Sequence, residues 1–74
     1  MDNVIDTERN GQILRELRGD KSRREVAKDL GISETALMYY EQGLRTPRDK
    51  VKAAIANYYK RTIKYIFFNV KPTL

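Results

Sequence analysis

The sequence contains no cysteine and no histidine. Disulfides are therefore excluded, along with the usual zinc-ligand sets, and neither metal nor cofactor is expected. The same two absences leave an enzyme poorly supported, since the chain also lacks a nucleotide-binding glycine loop and paired acids in a pocket-like arrangement. Lack of cysteine fits a reducing cytoplasm, the expected location. Long apolar runs are missing too. Short runs such as Ile66, Phe67 and Phe68 are far too short to span a bilayer. The opening residues Met1, Asp2, Asn3, Val4, Ile5 and Asp6 are acidic and polar, unlike a signal peptide. No internal repeat or low-complexity segment occurs.

Acid is absent from the final third, because nothing after Asp49 is acidic. Residues 1–20 carry a net charge of −2 and residues 21–74 a net charge of +7, within an overall +5. A positive field gathered in this way suits a polyanion partner. A solvated basic surface is the plain alternative. At 74 residues the chain is expected to form one domain, with a core over about 8–68 and tails at 1–6 and 69–74 that are flexible or associated with a dimer. That is a small size for a self-sufficient apolar core.

The most informative stretch is 22–43. Ser22 followed by Glu25 is a capping box. Val26, Ala27 and Leu30 make a narrow apolar stripe, and Gly31 can take the left-handed conformation that ends a helix. Ile32 plugs the corner, Ser33 can cap a second helix, Leu37 and Tyr40 form its inner face, and Gly43 ends it. Two short helices joined by such a turn form the helix-turn-helix arrangement, whose second helix enters the DNA major groove.

The remaining pattern supplies three more helices. Helix one is expected from about Glu8 to Arg18, capped by Asp6 or Thr7, with Ile13, Leu14 and Leu17 inward and Gly19 and Asp20 ending it. Helices two and three follow at 23–30 and 34–42. Thr46 is the expected cap of helix four, with Pro47 at its first position and Asp49 near its positive end. Val51, Ala54, Ile55, Tyr58 and Tyr59 give a broad core stripe. Thr62 caps a short fifth helix through Phe68, and Lys71 is extended ahead of Pro72.

This ordered set resembles the Xre/Cro/phage-repressor helix-turn-helix domains, and among them the small single-domain regulators of Gram-positive bacteria and prophages. The resemblance rests on Val26 and Ala27; Leu30, Gly31, Ile32 and Ser33; Leu37; Tyr40, Glu41 and Gly43; and Arg45, Thr46 and Pro47. It continues through Ile55, Ala56, Tyr58 and Tyr59, then Ile63, Ile66, Phe67 and Phe68, and covers roughly 11–68. It implies an all-α, five-helix, lambda-repressor-like domain.

Several residues are candidates for DNA contact. Arg23, the first residue of helix two, lies where free N–H groups favour a phosphate; the family usually carries Gln there. An exposed helix-end arginine is the alternative. Helix three leaves Glu34, Thr35, Ala36, Met38, Tyr39 and Gln42 once Leu37 and Tyr40 turn inward. Glu34 can accept a hydrogen bond from cytosine N4 or act only as a helix-dipole acid. Thr35 can touch a phosphate or a base. Ala36, Met38 and Tyr39 offer apolar contact to thymine methyls, and Tyr39 packing on the protein surface is the other option. The resemblance implies backbone contact for Gln42 and for Arg45 and Arg48, with the Arg48 position able to reach the minor groove. It also implies that Arg18 and Glu41 form a structural ion pair.

Tyr58, Tyr59, Tyr65, Phe67 and Phe68 cluster late in the chain, too many for so small a core to bury with Ile63 and Ile66. Ile66, Phe68 and Val70 are the candidate dimer interface. The expectation is a regulator of transcription that binds a double-stranded DNA operator as a homodimer, with repression by occupancy, since the chain leaves no room for an activation or ligand domain. The alternative is the antitoxin of a toxin–antitoxin pair. A toxin or antirepressor is therefore a possible protein partner.

Overall fold

Side-chain caps start four of the five helices among the described residues. In the computed structural model, which describes residues 4–71, Asp6 Oδ1 accepts the Arg9 N–H at 3.0 Å and opens α1, Thr7–Arg18. Ser22 Oγ accepts the Glu25 N–H at 3.0 Å and opens α2, Arg23–Leu30. Ser33 Oγ does the same for the Ala36 N–H and α3, Glu34–Glu41. Thr62 Oγ1 holds the Tyr65 N–H and opens α5, Ile63–Phe67. Each cap satisfies one N–H that the helix itself cannot pair.

Helix α4, Asp49–Tyr59, departs from expectation. It begins two residues beyond Pro47, its N-cap is Arg48, and no side chain caps it. Thr46 is exposed, and the Pro47 ring is buried in the loop rather than placed in the first turn. A proline pushes the residue before it towards extended backbone. Arg48 is extended as well, at ψ 161°, so the turn cannot close until Asp49. Within α4 the buried positions are Ile55 and Ala56, flanked by half-buried Val51 and Tyr59, whereas Ala54, expected in the stripe, is exposed. Lys60 ends the helix at φ 58°, in the left-handed region.

The termini pair with each other where they are described. Val4–Ile5 (β1) and Val70–Lys71 (β2) pair antiparallel, with Ile5 opposite Val70, and the Asp6 N–H donates to the Asn69 carbonyl at 2.7 Å. Alternation over two residues is too short a signal to read from sequence. The expectation for Pro72 and the residues after it lies outside the described residues.

Two apolar clusters hold the helices. Ile13 and Leu14 of α1 pack with Ile55 and Ala56 of α4 and with Ile66 and Phe67 of α5. Val26 and Ala27 of α2 pack with Leu37 of α3. Ile66, expected at a dimer interface, is instead 0% exposed. It lies on the inner face of α5, where the small domain needs every branched side chain it can bury. Asn10 is buried with them: its Nδ2 donates to the Phe67 carbonyl at 3.0 Å, and its Oδ1 accepts from Asn69 at 2.8 Å.

Candidate nucleic-acid interface

The turn between α2 and α3 is built on glycine. Gly31 sits at φ 71°, and the Ile32 N–H reaches back to the Ala27 carbonyl at 3.0 Å. Gly43, at φ 73°, ends α3 in the same way, with the Leu44 N–H on the Tyr39 carbonyl at 3.0 Å. These closures leave α3 with its first turn in solvent. Glu34 and Thr35 are exposed, and Ala36 is half-buried beside them. Met38 and Tyr39 are also half-buried, while Leu37 is fully enclosed.

The loop that follows lies against the same helix. The Arg45 guanidinium sits 5.7 Å from the centre of the Tyr39 ring, within cation–π range. Tyr39, Leu44 and Arg45 line one shallow groove, and Tyr40, Arg45, Thr46 and Arg48 line the next. Arg45 therefore belongs to both. Arg48 is exposed at the start of α4. Gln42 faces elsewhere, into a groove on the α1 side shared with Arg9, Gln12 and Arg15. Tyr39 thus has a contact on the protein, with Arg45 stacked over its ring.

Beneath α3 lies a carboxylate. Glu41 is 0% exposed. Arg18 Nε donates to Oε2 at 2.7 Å and Arg18 Nη2 to Oε1 at 3.1 Å, so α1 grips it with two bonds. Arg23 Nε of α2 donates to the same Oε1 at 2.9 Å. The Glu41 main-chain carbonyl also accepts a hydrogen bond from Arg15 Nη1. The hydrogen bond to Glu41 holds the Arg18 guanidinium above its usual pKa. Next to this cluster the Tyr59 hydroxyl is buried without a partner, and burial, with the Glu41 charge adding to it, pushes its pKa up to about 12.

Close backbone approach completes the seat. A Cβ on Gly11 of α1 would lie 2.8 Å from the Glu41 carbonyl carbon and 3.0 Å from the Gly43 nitrogen. Only glycine lets α1 and the end of α3 meet so closely. Gly11, Asn10 and the Arg23 contact carry no local sequence signal, since each acts through a partner at least 18 positions away.

A family model described as a helix-turn-helix domain matches residues 11–63. The chain belongs to this helix-turn-helix family. The family lies within the Xre/Cro-like group named by the sequence resemblance, and the five-helix architecture agrees with it. The match runs from Gly11 through the α2–α3 unit to the start of α5. No curated protein matches the chain. The helix-turn-helix domain marks a DNA-binding regulator, of a family that is typically non-enzymatic. Among the described residues no helix is long and apolar enough to cross a membrane, and no group of acidic side chains could hold a metal ion.

Proposed function

We propose that this protein is a sequence-specific double-stranded DNA-binding repressor that acts as a homodimer by occupying its operator. The observation that carries the reading is the exposed first turn of α3, with Glu34 and Thr35 in solvent, beside a loop that offers Arg45 and Arg48. In helix-turn-helix proteins the N-terminal residues of the second helix meet base edges. On this reading Glu34, Thr35 and Ala36 read bases, with Met38 and Tyr39 offering apolar contact at the margin of that surface. Arg23, Arg45 and Arg48 hold phosphates, which sets register rather than sequence, and Gln42, in the groove on the α1 side, would meet the backbone only beyond them. The dimer forms at the opposite kind of surface. Phe68 is 50% and Val70 45% exposed, and Ile5, paired with Val70, is 39% exposed. The same apolar end would serve a protein toxin if the chain were an antitoxin, and co-purification with the product of a neighbouring gene would favour that second reading.

Selection of bound sequences from a random duplex pool tests the assignment, run with wild type and Glu34→Gln side by side. A carboxylate accepts from cytosine N4, whereas a carboxamide suits adenine N6 and N7. The preferred base is expected to change at one position of each half-site, with roughly 1–3 kcal/mol of discrimination. Identical preferences would return Glu34 to a helix-dipole role, and no enrichment by wild type would refute sequence-specific binding.

A further inference from the structure

One carboxylate here meets two guanidiniums, and the two are not equivalent. Arg18 alone satisfies Glu41, with a fork-like pair of bonds at 2.7 and 3.1 Å, and its Nη1 is taken up by the Lys21 carbonyl at 2.7 Å. Its side chain is 18% exposed. Arg23 is surplus to neutralising Glu41, so the cluster carries a net positive charge. Its side chain is 38% exposed and is attached only through Nε, at 2.9 Å. Neither Nη group of Arg23 has a hydrogen-bond partner among the described residues. A guanidinium is a planar fork, so fixing Nε against a buried anion also fixes the direction of both Nη donors. The carboxylate cannot follow Arg23 outward, because its other bonds hold it in the core.

We infer that Glu41 is a positioning residue for DNA binding: it holds Arg23 by Nε so that the two Nη groups are presented, pre-aligned, to a backbone phosphate. The inference rests on the phosphate role proposed for Arg23 and adds what makes that role specific to arginine. A lysine could pair with Glu41 or reach a phosphate, but as a point charge on a flexible stem it could not do both. Pre-alignment removes the ordering cost that a free surface arginine meets on binding.

A random-sequence duplex is a sufficient probe, since phosphates carry no sequence information. Affinity and its salt dependence are measured for wild type, Arg23→Ala, Arg23→Lys, Glu41→Gln and the variant carrying both Arg23→Ala and Glu41→Gln, each confirmed as folded by circular dichroism. Arg23→Ala is expected to weaken binding roughly tenfold per subunit, the worth of one charge-assisted contact. Arg23→Lys is expected to fall within about twofold of Arg23→Ala despite keeping the charge, and both are expected to lower the salt slope by about 1 per subunit. Glu41→Gln is expected to weaken binding when Arg23 is present and to add nothing when Arg23 is already alanine. Equal losses in both backgrounds would mean that Glu41 is merely structural and would overturn the inference. Arg23→Lys binding like wild type would overturn it as well. If Glu41→Gln does not fold, the lysine–alanine comparison decides alone. Wild-type binding that Arg23→Ala leaves unchanged refutes the inference and spares the DNA-binding reading; no binding by wild type refutes both.

Discussion

Where α4 and α5 meet α1, the domain is an apolar core. Ile13, Leu14, Ile55, Ile66 and Phe67 exclude water through branched and aromatic side chains, each at most 3% exposed. Where α3 meets α1, the means are different, while its contact with α2 combines both, with Val26, Ala27 and Leu37 packed there as well. There two glycines admit close backbone contact, and a buried carboxylate gathers hydrogen bonds from Arg18 and Arg23. Apolar packing is non-directional and tolerates modest reshaping. Hydrogen bonds to a buried anion are directional and costly to break singly. The scaffold is thus held by area, and geometry adds orientation at α3, the helix proposed to meet DNA.

Substitutions of graded size separate the two regimes, with stability read from urea unfolding. Glu41→Ala, which strands two guanidiniums, is expected to cost about 3–5 kcal/mol, a large share of the roughly 5–15 kcal/mol of a typical domain. Gly11→Ala adds only a methyl group. Its Cβ would meet backbone of Glu41 and Gly43, which has no rotamer by which to give way, and it is expected to cost about 1–3 kcal/mol. Ile66→Val, a change of the same size in the apolar core, is expected to cost about 0.5–1.5 kcal/mol. Gly11→Ala proving milder than Ile66→Val would break the contrast.

The smallest effect comes at the border of the two regions. The Tyr59 hydroxyl is buried without a partner, so Tyr59→Phe is expected to gain about 0.5–1 kcal/mol at neutral pH, part of the cost of an unsatisfied polar group. Because burial raises the folded-state pKa to about 12, folding favours the protonated hydroxyl over the phenolate, a contribution to stability measured against the ionised form. That contribution is complete below the ordinary tyrosine value of about 10. It is lost as pH rises through the folded-state pKa of about 12. Tyr59→Phe is expected to flatten the fall in stability over that window. An unchanged alkaline profile would place the effect on another tyrosine.

Much of this fold was legible in sequence because its signals are local. Ser22, Ser33 and Thr62 act on N–H groups three residues away, and Gly31 and Gly43 act on their own φ angles. Periodicity identified Leu37, Ile55 and Leu14 as core for the same reason. Thr46 and Pro47 misled because threonine before proline satisfies helix-start chemistry equally well in a loop, and burial of the proline ring decides between the two. Ile66 reads as an interface residue in sequence because helical spacing shows which residues share a face but not which face is covered. The Arg23–Glu41 bond, the Gly11 contact and the β1–β2 pairing join distant positions, and nothing in one sequence reports such partners.

On the proposed reading, the arginines flanking α3 bind duplex DNA through its phosphates. A salt titration of binding tests it most directly. Three charged contacts per subunit, from Arg23, Arg45 and Arg48, would release about six counterions per dimer. The expected log–log slope is therefore on the order of −5 for B-form DNA. A slope near that value, reduced in step by Arg45→Ala and Arg48→Ala, is the predicted result; a slope near zero between low and moderate salt would contradict the account.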